Sequence, residues 1–377
     1  MNVFYRTLLY ISLLCFLSFL LLFITGYGSS WIGFLLTTML ILLALGVREF
    51  DGLRDYAFTI WVFAAASAGM FYPEYIRDVG GYNTEGLIVP LVQLIMFGMG
   101  TALSVKDFTG VIRMPKGVFV GLMCQFIIMP VTGITLALSF GLPAEIAAGV
   151  VLIGSSPSGV ASNVMTFLAK GNLALSVTLT TVATLIAPLM TPFLMQTFAG
   201  QFVPIVFYDM MMSIVNMIIL PVAAGLIFNR IFRGKAQWLH NAMPGISMAG
   251  IVVILAIIIA AGRDSLINIG ILLIGAAIIH NAVGYFLGYW GCRLFKMDEK
   301  SCRTIAFEVG MQNGGLASGI AADMGRAATM GLAPAIFGTW MNISGSYLAN
   351  YWRKRPLETE DEDDAVITED NATESKV

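Results

Sequence analysis

Apolar residues run along this chain in blocks too long for the strands or helices of a water-soluble core. Twelve such runs are read, at 7–26, 31–47, 55–73, 87–104, 117–139, 144–169, 172–196, 205–229, 243–262, 265–292, 301–325 and 329–351. Each is near the ~20 residues that a helix needs to cross the hydrocarbon core of a bilayer. Polar residues cluster in the short gaps between runs. The pattern predicts an all-α polytopic membrane protein, because a helix satisfies its own backbone hydrogen bonds in lipid. Only Arg6 precedes the first run and no A-x-A site follows it. It is therefore expected to be an uncleaved helix and not a signal peptide.

Charge adds orientation. With the amino terminus placed in the cytoplasm, 18 of the 21 Lys and Arg fall on the cytoplasmic side, leaving Arg77, Arg263 and Arg326 outside. Such an excess of inside positive charge predicts cytoplasmic termini, in a bacterial inner (cell) membrane. Residues 356–377 are acidic and nearly free of large apolar groups, so a disordered cytoplasmic tail is expected there. The whole chain is 58% hydrophobic and 12% charged, with net charge −2. Cys15, Cys124, Cys292 and Cys302 show no CxxC spacing, which leaves them as free thiols. No HExxH, no paired aspartates at membrane depth and no supported Ser–His arrangement is present. The chain is therefore not read as an enzyme. Neither a cofactor nor a nucleic-acid partner has a positive signal. His280 and Asn281 lie in a span and are read as interhelical hydrogen-bonding groups.

The ten runs beyond residues 1–54 divide into two sets of five, 55–196 and 205–351. The fourth run of each set carries an interruption: GSSPSGVASN at 154–163 and EVGMQNGGLAS at 308–318. Ser158-Gly-Val-Ala-Ser162 echoes Gly314-Gly-Leu-Ala-Ser318 at an offset of 156. An odd number of helices per repeat inverts the second repeat in the membrane. Inverted repeats with paired broken helices are a transporter signature, with substrate and coupling ions near the midplane. Pro157 removes an amide and crowds the preceding turn. Gly314 and Gly315 permit a helix break. Glu308 sits in an otherwise apolar stretch, followed by Gln312 and Asn313. An ionisable group at that depth marks a functional site, and a charge, two amides and a broken helix together suggest a cation site.

The stretches SNVMTFLAKGNLALSVTLTT (162–181), FEVGMQNGGLAS (307–318) and NISGSYLANYW (342–352) resemble the bile acid:sodium symporter family. The similarity runs over about 55–352 and is strongest to the ten-helix prokaryotic type, so residues 1–54 are two extra transmembrane helices. The resemblance implies panel and core domains, with the two broken helices crossing in the core. It also implies two sodium sites. One would use Ser162, Asn163, Ser176, Thr180 and Glu308. The other would use Gln125, Glu308, Gln312 and the carbonyls of Val309 and Met311. The chemistry agrees, since a hard cation prefers oxygen ligands. Ser176 and Thr180 are four apart and share a helix face, although each could instead bond back to its own helix.

The substrate implied by the resemblance is an organic anion, bile-acid-like or a small carboxylate. No Lys or Arg lies deep in a span to bind it. The half-helices that restart near Gly159 and Gly314 would offer free amides and positive dipole ends instead. Asn313, Asn342 and Ser344 are further candidate contacts. Val160 and Met341 stand where relatives often carry more polar residues, which points to a larger or more apolar anion. The expected activity is sodium-coupled import by alternating access. A proton-coupled transporter using Glu308 as carrier is the alternative. The sequence leaves the oligomeric state open.

Overall fold

The computed structural model describes residues 3–25, 29–50, 56–103, 110–232 and 237–355. The acidic segment expected at 356–377 lies outside the described residues. Two helices open the chain, α1 (Val3–Thr25) and α2 (Ser29–Gly46). After them come α3 (Ala57–Phe71), a short α4 (Pro73–Arg77), a two-stranded hairpin of β1 (Asp78–Val79) and β2 (Tyr82–Asn83), and α5 (Ile88–Ala102). Next are α6 (Gly110–Arg113), α7 (Pro115–Ser139), α8 (Ala144–Ser155), α9 (Ala161–Leu168) and α10 (Leu173–Ala199). The remainder comprises α11 (Phe207–Ile214), a π turn (Val215–Ile219), α12 (Leu220–Phe232), α13 (Gln237–Ala261), α14 (Arg263–Leu294), α15 (Glu299–Gly310), α16 (Gly314–Asp323) and α17 (Leu332–Arg353).

Among the described residues, eight helical stretches are long and apolar enough to cross a membrane. The other four expected runs depart from that template for local reasons. α3 has only 15 residues. Two runs are broken, into α8 with α9 and α15 with α16. α17 is 22 residues long but interleaves Thr339, Asn342, Ser344, Ser346 and Asn350 with its apolar positions. The chain is an all-α polytopic membrane protein.

The helices pack in two groups. In the first, α5 lies against α12 and α13, and α3 against α13. In the second, α7 packs on α8, α10, α14 and α15, and α14 on α15 and α17. The opening pair joins the first group: α1 packs on α2, and α2 on α3, where Thr37 and Ser67 share a 2.8 Å hydroxyl hydrogen bond. α16 bridges the groups through its contact with α5.

The two broken segments lie at the centre of the second group. Ile146–Ser155 of α8 and Ser301–Gly310 of α15 are buried on every face. A helix so enclosed needs little amphipathicity. Capping fixes where the surrounding helices start. Asn172 accepts from Leu175 N at 3.1 Å, Asp298 from Ser301 N at 2.9 Å, and Asn313 from Leu316 N at 3.0 Å. Each cap satisfies an amide that a helix start otherwise leaves orphaned.

Gly154 sets the approach of α8 to α7. A Cβ there would sit 2.5 Å from the Met129 carbonyl oxygen and 3.0 Å from His280 Nε2. Backbone cannot swing aside, so Gly154→Ala must push the helices apart. The expected cost is about 1–3 kcal/mol, typical of overpacking, read as a fall in melting temperature. Gly245→Ala in α13, with open space at the Cβ position, should leave stability equal or raised, because alanine is the better helix former. Equal melting behaviour for the two variants would refute the tight-packing account.

Candidate functional site

Both interruptions expected from the sequence are present, and they cross. The first runs from Ser156 to Val160. Ser156 is extended (φ −81°, ψ 152°), as the residue before a proline must be, and Pro157 has no amide to continue α8. The second is Met311 to Asn313, ended by the Asn313 cap of α16. Where they meet, Ser158 and Gln312 form an isolated antiparallel β-bridge. Its bonds are Gly159 N to Met311 O and Asn313 N to Pro157 O, both 2.8 Å. A Cβ on Gly159 would lie 3.1 Å from the Gln312 carbonyl oxygen, so the close backbone crossing favours glycine there.

Glu308 lies on the last turn of α15 and is 2% exposed. Ser162 and Ser176 donate to one carboxylate oxygen, each at 2.6 Å. Ser158 at 2.6 Å and Thr180 at 2.9 Å donate to the other. The hydroxyls come from the first break, α9 and α10, so three segments converge on one charge. Hydrogen bonds to a charged group contribute about 1.5–3 kcal/mol each, and together they offset part of the desolvation of a buried ion. Asn163 Oδ1 lies 2.7 Å from the Ser176 hydroxyl and 3.3 Å from that of Thr180, a second acceptor within reach of both. Thr166 Oγ1 lies 3.3 Å from Ser176 Oγ. Ser176 and Thr180 thus turn outward to the carboxylate and not back to their own helix.

The five residues Ser162, Asn163, Ser176, Thr180 and Glu308 therefore share one oxygen-rich cluster. Hard oxygens and a single carboxylate suit a hard cation of low charge. Among the described residues no group of three His, Cys, Asp or Glu is placed to hold a metal ion.

A second cluster adjoins the first. Gln125 on α7 donates from Nε2 to Ser156 O at 2.9 Å and to Gln312 Oε1 at 2.6 Å. Gln312 donates to the Val309 carbonyl at 2.6 Å. The Met311 carbonyl takes the Gly159 amide, which leaves it one lone pair for a further partner. Ser158 links the clusters: its hydroxyl reaches Glu308 while its backbone pairs with Gln312.

Three expectations need correction. The amides of Gly159 and Gly314 are not free, because the bridge uses the first and Gln312 O accepts the second at 3.0 Å. Among the described residues, the amides without a hydrogen-bond partner at the two restarts are those of Val160, Ala161 and Gly315. Met341, on α17, is 2% exposed and packed in the core, so it lines no open face. Asn313 is also buried, and its Oδ1 is committed to the cap, leaving its Nδ2 as the only side-chain group to offer. Val160, 43% exposed, and Asn342, half-buried, remain accessible. Gly314 is packed on α17, where a Cβ would lie 3.1 Å from the Pro334 carbonyl.

Two residues of the carboxylate cluster were absent from the sequence-derived set. Ser158 was hidden because the repeat echo aligns it with Gly314, which has no side chain. Thr166 was legible: it follows Ser162 by four and shares its helix face.

Asn281 on α14 supports this geometry from behind, donating to the Gly310 carbonyl at 2.8 Å and accepting from Ser344 Oγ at 2.6 Å. His280 Nε2 lies 3.2 Å from the Met129 carbonyl. Both are the interhelical bonds expected of them.

Comparison with known proteins follows the same lines. Residues 89–269 match the model of the Sodium Bile acid symporter family. That stretch includes the first break and ends before Glu308. An uncharacterized sodium-dependent transporter of Bacillus subtilis is 41% identical over 310 residues, which is 82% of this chain and 94% of the relative. A probable chloroplastic sodium/metabolite cotransporter of Arabidopsis thaliana is 31% identical, covering 81% of this chain and 75% of the relative. The ileal sodium/bile acid cotransporter of Oryctolagus cuniculus is 35% identical over 61% of this chain and 67% of its own. These proteins are named as transporters, not enzymes. With a pair of broken helices crossing beside a buried glutamate, and with relatives of this extent, the chain belongs to the sodium bile acid symporter family.

Proposed function

We propose that this protein couples sodium entry to the import of an organic anion by alternating access. The observation that carries the reading is Glu308: one buried carboxylate ringed by hydroxyls from three segments at a helix crossing. A proton carrier needs one base. A desolvated cation needs several oxygens, and the Glu308 cluster supplies them. The names of the similar proteins, sodium-dependent transporter and sodium/bile acid cotransporter, favour the same choice.

In this reading the first sodium ion is held by Ser162, Asn163, Ser176, Thr180 and Glu308, with Ser158 and Thr166 adjoining. Hydroxyls that now donate to Glu308 rotate to turn their lone pairs toward the ion. The second sodium ion is held by Gln125, Gln312, Glu308 and the carbonyls of Val309 and Met311. Both ions order the crossing and so fix the restarts of α9 and α16. The anion binds there, on the amides of Val160, Ala161 and Gly315, with the Asn313 Nδ2 and Asn342 beside them. Exposed Val160 gives that face an apolar element, which suits an anion with an apolar body. Sodium and anion then bind with mutual assistance, and this coupling is reciprocal. Rocking of the two helix groups against each other carries the loaded site across.

Counterflow in proteoliposomes held at one pH tests this. Exchange of a labelled organic anion is expected in sodium and not in choline or potassium. A proton gradient that drives uptake without sodium would overturn the sodium assignment in favour of proton coupling through Glu308.

A further inference from the structure

A cavity of about 890 Å³ opens between α14 and α17, on a face separate from the helix crossing. It falls within the ~300–1,000 Å³ of ligand-binding clefts. Its walls are aromatic, with Tyr285, Trp290, Trp340, Tyr347 and Trp352 among them. Asn281 and Ser344 lie on its floor. Asn342, assigned above to the anion, does not line it.

The two helices run parallel here. Asn281 meets Ser344 near the middle, and the Tyr289 and Trp352 rings stack at 6.0 Å near the carboxyl ends of both. That end is basic. Arg293 closes α14, and Arg353, Lys354 and Arg355 follow one another at the end of α17. Arg293 is committed to Glu299 and Tyr289. Arg355 is not committed to an acid: among the described residues no carboxylate pairs with it. Its guanidinium Cζ lies 4.4 Å over the Tyr351 ring, and the residue lines the cavity mouth. Stacking on an aromatic face leaves the edge donors of a guanidinium available for an oxyanion.

We propose that this groove is a binding site for an anionic phospholipid. Acyl chain fills the aromatic length, and the phosphate takes Arg355. Charge complementarity selects the occupant. A zwitterionic lipid gains less at a mouth where three basic residues follow in sequence. The acidic segment 356–377 matches the mouth in charge but not the apolar walls in chemistry. Basic recesses between transmembrane helices recognise anionic headgroups in this way, and aromatic rings suit the interface depth.

Tryptophan fluorescence reads the site directly, because three of the six tryptophans, Trp290, Trp340 and Trp352, line it. Full-length protein is reconstituted in phosphatidylcholine vesicles carrying increasing fractions of brominated phosphatidylglycerol or of brominated phosphatidylcholine. Bromine quenches tryptophan only on contact. The glycerol lipid is expected to reach half-quenching at about fivefold lower mole fraction, the preference that one basic contact confers. Arg355→Glu should remove that preference. Lys354→Glu, the same charge change one residue away at a position outside the cavity lining, should largely keep it. Equal quenching by both lipids in the wild type would overturn the proposal and leave the face to unselective lipid or a second copy of the chain. Loss of preference in Lys354→Glu as complete as in Arg355→Glu would also overturn it, because general surface charge would then explain the result.

Discussion

Replacing Glu308 with alanine is expected to abolish sodium-dependent uptake while leaving a protein that still inserts. Four hydroxyls lose their acceptor in that variant, those of Ser158, Ser162, Ser176 and Thr180. Other acceptors are within reach, Gly159 O at 2.7 Å from the Ser162 hydroxyl and Asn163 Oδ1 at 2.7 Å from that of Ser176, so the fold has somewhere to relax. The cation has no such recourse. Removing one member of a buried charge pair costs about 3–5 kcal/mol, or about two to three and a half orders of magnitude in sodium affinity at about 1.4 kcal/mol per tenfold. Thermal unfolding reads this without transport. A ligand at 100 times its dissociation constant raises stability by about 2.7 kcal/mol. Sodium, compared with choline at equal ionic strength, should raise the melting temperature of the wild type and not of Glu308→Ala. Equal sodium stabilisation in both proteins would remove Glu308 from the cation site. Glu308→Asp keeps the charge one methylene short of its partners and should retain a weakened response.

Membrane voltage should matter nearly as much as the sodium gradient. Two sodium ions with one monovalent anion carry a net charge of +1 inward. Each 100 mV, inside negative, then adds about 2.3 kcal/mol of driving force, roughly 40-fold in the accumulation ratio. Proteoliposomes clamped with potassium and valinomycin at a fixed sodium gradient measure it. The paired substitution Gln125→Ala with Gln312→Ala removes side-chain oxygens from the second cluster alone. It is expected to flatten the voltage dependence and leave a sodium requirement through the first. A wild type indifferent to voltage would sink the two-ion stoichiometry while sparing the carboxylate site.

Much of this architecture was legible because lipid simplifies the reading. Every helix had to be an apolar run, and each described span lies on an expected one. The breaks were legible too: Pro157 stops α8 by known local chemistry, and the Gly314-Gly315 step marked the second break closely, although both glycines open α16 and the break itself is Met311–Asn313. Less could be read of how the breaks meet. The bridge between Ser158 and Gln312 is made by backbone atoms more than 150 residues apart, and backbone bonds leave no side-chain signature. Their use of the Gly159 and Gly314 amides moved the unpartnered donors onward to Val160, Ala161 and Gly315. Burial of Met341 was likewise hidden, because an apolar residue on a membrane helix reads alike whether it faces protein, lipid or cavity. The π turn at Val215–Ile219 contains neither proline nor glycine, so nothing marked it. Glu145, in the first turn of α8, is ion-paired to Arg326 and accepts from Thr329, a long-range contact that no local pattern announces.

The crossing constrains its two segments through backbone alone. Its two backbone bonds are reciprocal: Gly159 gives its amide to Met311 as Asn313 gives its own to Pro157. Every antiparallel bridge is reciprocal in this way, whatever side chains its two segments carry. The bridge bonds therefore place no demand on side chains, so one segment can carry a carboxylate at Glu308 while the other, Gly154–Asn163, carries none.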